Sequence, residues 1–190
     1  MMRRNGVKPA FVCMAVITML LIGFVQFPAR GQGKGNGNQD DREEVAIGLA
    51  IAPVTLDFNK KDRTLVGLGS YYVNGTSDCV GCHTGATGHL GGGVPFGNPA
   101  DPNTPVSRNL TPDSTGKPAG LTFTQFKTVL RQGIDFKQLL PDTGDPDLLV
   151  VMPWEAYRHG TDRFVEALYE YLKAIPCLEG GPGQPANRCD

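Results

Sequence analysis

Past Gly31 the chain holds a single methionine, Met152, a single tryptophan, Trp154, and three histidines, His83, His89 and His159. It has no cluster of lysine and arginine, so it lacks the electrostatic footprint of a nucleic-acid binder, and no nucleic-acid partner is expected. Nothing in it alternates strands and helices in a βαβ manner, which removes the context a thioredoxin-like dithiol needs. The run "GHLGGG" at 88–93 follows no strand and precedes no Lys-Ser/Thr pair, so it is no phosphate cradle and reads as a flexible loop. Cysteine is sparse as well. Cys13 stands inside an apolar run, far from any lipid-accepting position, and the other four form two pairs: Cys79 with Cys82, and Cys177 with Cys189.

What the N-terminus does contain is an export signal. Arg3, Arg4 and Lys8 precede an apolar run from Ala10 to Phe27, and Ala29 and Gly31 stand three and one positions before a cut at Gln32. That order predicts a secretory signal peptide over 1–31. The run approaches the ~20 residues that span a bilayer, so the alternative is an anchor through residues 10–27 and membrane association by that segment alone. The lack of a basic stop-transfer cluster favours cleavage. Either way the remainder is expected to be periplasmic or otherwise extracytoplasmic. Loss of 1–31 removes four cations and no acid, which takes the net charge from −1 to −5.

Residues 32–44 are Gly/Asn-rich, then charged, and predict a flexible linker. A single domain over 45–190 follows, its core about 65–176. The segment 45–61 is apolar without a clear period, and Pro53 argues against a regular element, so it is placed only as packing on the domain surface. Three helices are predicted. The first carries Leu65, Leu68, Tyr72 and Val73 on one stripe and stops at Asn74-Gly75. The second opens with a Thr122/Gln125 capping box, carries Phe123, Phe126, Val129 and Leu130 on one face, and ends at Gly133. The third runs along Val165, Leu168, Tyr169, Leu172 and Ile175 to Pro176. With no convincing strand, the fold class is all-α with long Gly/Pro-rich loops. The longest, 84–120, is too long to stand in a compact domain unless something such as a large flat prosthetic group organises it.

The first helix delivers the chain into "SDCVGCHTG" at 77–85. Two thiols separated by two residues reach the two vinyl groups of a porphyrin, and the histidine that follows lies over the ring centre, so "CVGCH" is a c-type haem attachment signature. A zinc site would need a second ligand pair at usable spacing, and Cys177 and Cys189 are separated by eleven intervening residues and far away. Cys79, Cys82 and His83 are therefore the expected cofactor-binding residues, with His83 on the iron. The opposite face needs a second ligand. Met152 stands before Pro153, which pushes it to an extended conformation, and Leu148, Leu149, Val150 and Val151 are expected to line an apolar pocket beside it. His89 and His159, in polar turns, are expected to be solvated; axial ligation by one of them is the competing arrangement. Cys177 and Cys189, exposed to an oxidising compartment in a turn-rich tail, are expected to form a disulfide worth ~3 kcal/mol.

"SDCVGCHTG", "SRNLTPD", "FKTVLRQG", "VVMPW" and "EALYEYLKAIP", in this order, resemble a single-haem class I cytochrome c. They are most similar to bacterial periplasmic members, including cytochrome subunits of periplasmic dehydrogenases. The resemblance covers roughly Leu65 to Pro176. It implies helices around one covalent haem c, His83/Met152 ligation, and an electron carrier rather than an enzyme. Its redox partners would be a periplasmic dehydrogenase or a terminal oxidase or reductase. In such proteins the first and last helices cross through a small residue and an aromatic, here Gly69 or Gly67 against Tyr171. His83 is expected to donate its other ring nitrogen to a backbone carbonyl, from Pro95 or a neighbour. Arg108, Arg131 and Trp154 are candidates to bind the haem propionates. The functional alternative is a haem-based sensor or peroxidase-like enzyme with an open distal site.

Overall fold

The computed structural model of the chain describes residues 40–180, apart from 140, 142 and 145, and residues 187–190. The signal peptide expected over 1–31 and the linker up to residue 39 lie outside the described residues. The described part contains helices α1 (Asp40–Ile51), α2 (Arg63–Tyr71), α3 (Cys79–His83), α4 (Phe123–Gln132) and α5 (Asp162–Ala174). Strands β1 (Ile134–Leu139) and β2 (Pro146–Leu148) stand between α4 and α5.

Local chemistry accounts for the helix ends. The Asp62 carboxylate accepts the amides of Thr64 and Leu65 at the start of α2. Thr122 and Gln125 form the expected capping box on α4, and Gly133, at φ 70°, closes that helix in the left-handed conformation only glycine adopts freely. Thr161 caps α5 by accepting from the Phe164 amide. Satisfying these free end groups fixes where each helix begins.

Helix α2 does not stop at Asn74-Gly75 as its sequence suggests. The chain widens into one π-helical turn, Tyr72–Thr76, closed by the Ser77 amide on the Tyr72 carbonyl at 2.8 Å. Asn74 does not take the left-handed backbone of a helix terminator, and its side-chain amide donates to Ser70 and Tyr171. Widened turns of this kind interrupt helices where side chains must be re-aimed.

The core is built by Val66 and Val73 next to Phe126 and Leu130 of α4 and Val165, Leu168, Tyr171 and Leu172 of α5. Helices α2 and α5 cross backbone to backbone. A Cβ on Gly69 would overlap the Ala167 carbonyl oxygen and lie 2.7 Å from Tyr171 Cβ, so Gly69 is the small residue at this crossing. Gly67 faces the other way. Its Cβ would meet Val45 at 2.8 Å, and a Cβ on Gly48 would overlap the Gly67 carbonyl oxygen, so α1 lies against α2 through a second close contact.

Two sequence expectations are corrected here. Helix α1 begins inside the stretch read as linker and takes up the first part of the segment expected to be irregular, ending at Ile51 two residues before Pro53. The fold is mostly helical rather than all-α: β1 and β2 pair antiparallel, Ile134 opposite Leu148 and Asp135 opposite Asp147. Gly133 ends α4 and turns the chain into the alternating "IDFKQL", which is a strand pattern. Among the described residues no helix is long and apolar enough to cross a membrane.

Candidate haem-attachment site

Entry to the "CVGCH" motif is set by Asp78. Its left-handed backbone, φ 50°, breaks the preceding turn, and Cys79–His83 restart as the short helix α3. Residues three apart share a helical face, so Cys79 and Cys82 lie on the same side of α3. Both are free thiols, partly buried. Burial pushes the Cys79 thiol up to about 11, so it is held neutral.

His83 is fixed through its ring. Nδ1 stands 2.8 Å from the Arg108 carbonyl oxygen. A carbonyl only accepts, so Nδ1 carries the proton and Nε2 keeps its lone pair. Burial pushes the imidazole pKa down, which keeps the ring neutral and Nε2 unprotonated. A carbonyl acceptor was expected, but it belongs to Arg108 and not to Pro95, which pairs instead with Val106. The donor set therefore fits a c-type haem: two thiols on one helical face and a neutral imidazole with one nitrogen engaged and the other unprotonated.

The Gly/Pro-rich stretch after α3 is organised by its own backbone. The Gly92 amide donates to the His83 carbonyl at 2.7 Å, Gly93 to Ser107 at 2.9 Å, Ser107 to Val94 at 2.9 Å and Phe96 to Pro105 at 2.9 Å. Residues 92–96 and 105–109 thus run as an irregular antiparallel pair, which brings Arg108 over His83. Gly92 has φ 70°, and a Cβ there would collide with the Arg108 carbonyl group, so close approach demands glycine. The "GHLGGG" run expected to be flexible is pinned. Leu90 is fully buried at φ 59°, a conformation a bulky residue adopts only when its surroundings enforce it. Its amide donates to Thr84 Oγ1, and its carbonyl accepts from the Leu110 amide.

His89 is also not simply solvated. Its Nε2 lies 3.0 Å from the Tyr171 hydroxyl, which receives Asn74 Nδ2 at 3.0 Å. Asn74 Nδ2 also donates to Ser70 Oγ at 2.9 Å, and Ser70 donates to the Gly48 carbonyl at 2.6 Å. His159 is exposed, as expected.

Met152 is partly buried and packs against the core. Its carbonyl accepts from the Trp154 amide at 2.8 Å, opening a 3-10 turn over Trp154–Ala156. Just beyond, the Tyr157 hydroxyl donates to the Ser77 carbonyl at 2.7 Å. That bond ties the segment after Met152 to the entry of α3; nothing in the local sequence announces it. The apolar pocket expected from the residues before Met152 does not form from them. Leu148, Val150 and Val151 are exposed, Val150 by 82%, because β2 pairs with β1 alone and the chain leaves it along the surface.

Of the three propionate candidates, Arg108 pairs through its guanidinium with Asp135 at 2.6 Å. Arg131 bonds the Arg158 carbonyl at 2.8 Å and Asp162 at 2.9 Å. The Trp154 ring covers Gly133, where any Cβ would collide with it. Arg131 and Trp154 thus hold the 3-10 turn and the start of α5 onto α4.

The chain is similar to cytochrome c subunits of dehydrogenases. It is 36% identical over 106 residues to the fructose dehydrogenase cytochrome subunit of Gluconobacter japonicus, covering 54% of this chain and 20% of that protein. It is 31% identical over 130 residues to the gluconate 2-dehydrogenase cytochrome c subunit of Pantoea cypripedii, 65% of this chain and 27% of that one. To the cytochrome c subunit of the quinone-type alcohol dehydrogenase of Gluconacetobacter polyoxogenes it is 34% identical over 114 residues, 58% of this chain and 22% of the relative. The match thus spans between a fifth and about a quarter of each relative's length. No family model and no solved structure matches the chain.

Proposed function

We propose that the chain is an extracytoplasmic c-type cytochrome that carries single electrons through one covalently attached haem, as a redox partner of a dehydrogenase. The observation that carries this reading is the neutral, carbonyl-bonded His83 at the end of a "CVGCH" helix. Similarity to cytochrome subunits of three dehydrogenases supports the partner class.

Cys79 and Cys82 would hold the haem by thioether bonds, and His83 and Met152 would bind its iron. The haem, when bound, supplies a one-electron ferrous/ferric couple. The chain's own residues set its terms. Arg108 keeps the proton of His83 on Nδ1 and so reserves Nε2 as the ligand atom. Met152 contributes a soft, neutral sulfur that favours ferrous iron. Tyr157 holds the segment after Met152 to the residue before Asp78, so the two ligand-bearing stretches move as one. No residue is asked to touch a substrate, and the chain is not an enzyme in this reading.

Expressed with its N-terminal segment and haem-attachment machinery, the protein should be exported and retain haem through acid-acetone extraction. Met152→Ala should keep that haem, lose the weak near-infrared sulfur-to-iron band of the ferric form and lower the reduction potential. Haem that extracts freely would overturn covalent attachment. A Met152→Ala spectrum and potential identical to the parent's would remove Met152 from the iron.

A further inference from the structure

The C-terminal tail beyond α5 lies on the segment that orients His83. Cys177 and Cys189 are bridged, their Cα atoms 5.7 Å apart. Within this closed tail Glu179 accepts the Arg188 amide at 2.8 Å and the Cys189 amide at 3.2 Å, joining the two arms. Both arms then grip one segment. The Leu178 carbonyl accepts Asn109 Nδ2 at 3.0 Å, and the Leu178 amide donates to Thr111 Oγ1 at 3.1 Å. The Arg188 guanidinium donates to the Thr111 carbonyl, and the Ser114 amide donates to the Arg188 carbonyl at 2.9 Å. Asn109 is 1% exposed and Thr111 is fully buried. Asn109 Oδ1 accepts both the amide and the hydroxyl of Thr111, at 2.9 and 2.6 Å, so the segment moves as a unit.

The peptide carbonyl facing His83 Nδ1 is the one that joins Arg108 to Asn109. Its position is fixed on one side by the backbone pairing of residues 92–96 with 105–109 and on the other by the grip on Asn109. Leu178 adds packing on the opposite flank: Cβ atoms on Gly88 and Gly91 would lie 3.1 and 3.2 Å from its Cδ1, so it rests on the loop between them.

We propose that the disulfide-closed tail is a positioning element for His83, holding the Arg108 carbonyl on Nδ1 through the Leu178–Asn109 and Arg188–Thr111 bonds. The tail thereby sets how strongly His83 donates through Nε2. Such outer bonds to a ligating histidine fix its tautomer and raise its basicity. Weakening the carbonyl bond makes Nε2 a poorer donor, destabilises ferric iron and raises the reduction potential. The effect on the potential rests on the cytochrome reading; the effect on the His83 tautomer does not.

Two variants of the full chain test this: Cys177→Ser/Cys189→Ser, which opens the tail, and Asn109→Asp, which keeps the bridge and the acceptor for Thr111 but sets a carboxylate against the Leu178 carbonyl. Nitrogen NMR of the His83 ring reads the tautomer in the haem-free chain. The parent should hold the proton on Nδ1, and both variants should populate the Nε2-protonated form in the haem-free chain. In the haem-loaded protein the ferric-to-ferrous ratio at the parent's midpoint should fall about threefold or more. If either folded variant keeps the parent's ring spectrum and potential, even with a lower melting temperature, the tail is only structural and the proposal fails. If the serine variant does not fold, Asn109→Asp alone decides. If the parent binds no covalent haem yet its tautomer shifts in the variants, the positioning role stands and the cytochrome reading falls.

Discussion

At the scale of single residues, the clearest logic is a line of protons with only one consistent direction. Ser70 spends its one proton on the Gly48 carbonyl, so it accepts from Asn74. Asn74 Nδ2 then spends one hydrogen on Ser70 and the other on the Tyr171 oxygen. The Tyr171 proton is left for His89 Nε2, which must therefore be an unprotonated acceptor. Tyr171 is fully buried, so nothing else stands ready to replace its hydroxyl. Tyr171→Phe keeps the ring and the packing on Gly69, yet strands a hydrogen of Asn74 and the acceptor of His89. We expect a loss of about 1–3 kcal/mol in the denaturant-unfolding free energy. A change within about 0.5 kcal/mol would mean that the line carries no net stability.

At the scale of elements, legibility followed the kind of contact each element makes. Helices α2, α4 and α5 bury side chains on a stripe, and stripes are what a 3.6-residue period reveals. The capping box of Thr122 and the stop at Gly133 were likewise written in residue types. Helix α1 was missed because its one buried residue among Asp41–Ile51 is Gly48, whose contact is made by backbone and leaves no apolar period. The signal that could have found it is the acidic start, Asp40, Asp41, Glu43 and Glu44, which suits a helix N-terminus. The site divides in the same way. The proposed haem residues could be named from sequence alone, Cys79, Cys82 and His83 because the attachment motif fixes their types and spacing, and Met152 because it is the one methionine past Gly31. Arg108's carbonyl, Tyr157 and Asn109 were not, since a backbone oxygen has no sequence signature and their partners lie far along the chain. The glycine contact is itself testable. Gly48→Ala drives a methyl into the Gly67 carbonyl and should cost about 1–3 kcal/mol. Hydrogen exchange should show the α1 amides losing protection while those of α4 keep theirs; equal protection in both proteins would contradict the close crossing.

At the scale of the whole molecule, stability should respond to acid in two separate windows. Burial holds the His89 imidazole below its ordinary value of 6.5. The unfolded chain therefore binds the proton that the folded chain refuses, so the His89 contribution is complete above the unfolded value and is lost as pH falls below it. In the proposed haem-loaded form His83 would be an iron ligand and would take no proton in this range. The carboxylates act lower. The Lys61 ammonium holds Asp57 below its ordinary 3.8, and Lys127 does the same for Asp162. For Asp113 burial pulls upward but is outweighed by the amide of Lys117 and the amide and hydroxyl of Thr115. Their contributions are present above 3.8 and lost as pH falls further. The ferric haem-loaded protein should accordingly lose stability in one step beginning near neutrality and in a second below about pH 4. His89→Gln separates the two. A glutamine carbonyl can take the Tyr171 proton but not a second one from solvent, so melting temperatures between pH 7.5 and 5 should flatten while the lower step persists. If the substituted and parent proteins fall in parallel through the upper window, some group other than His89 governs it.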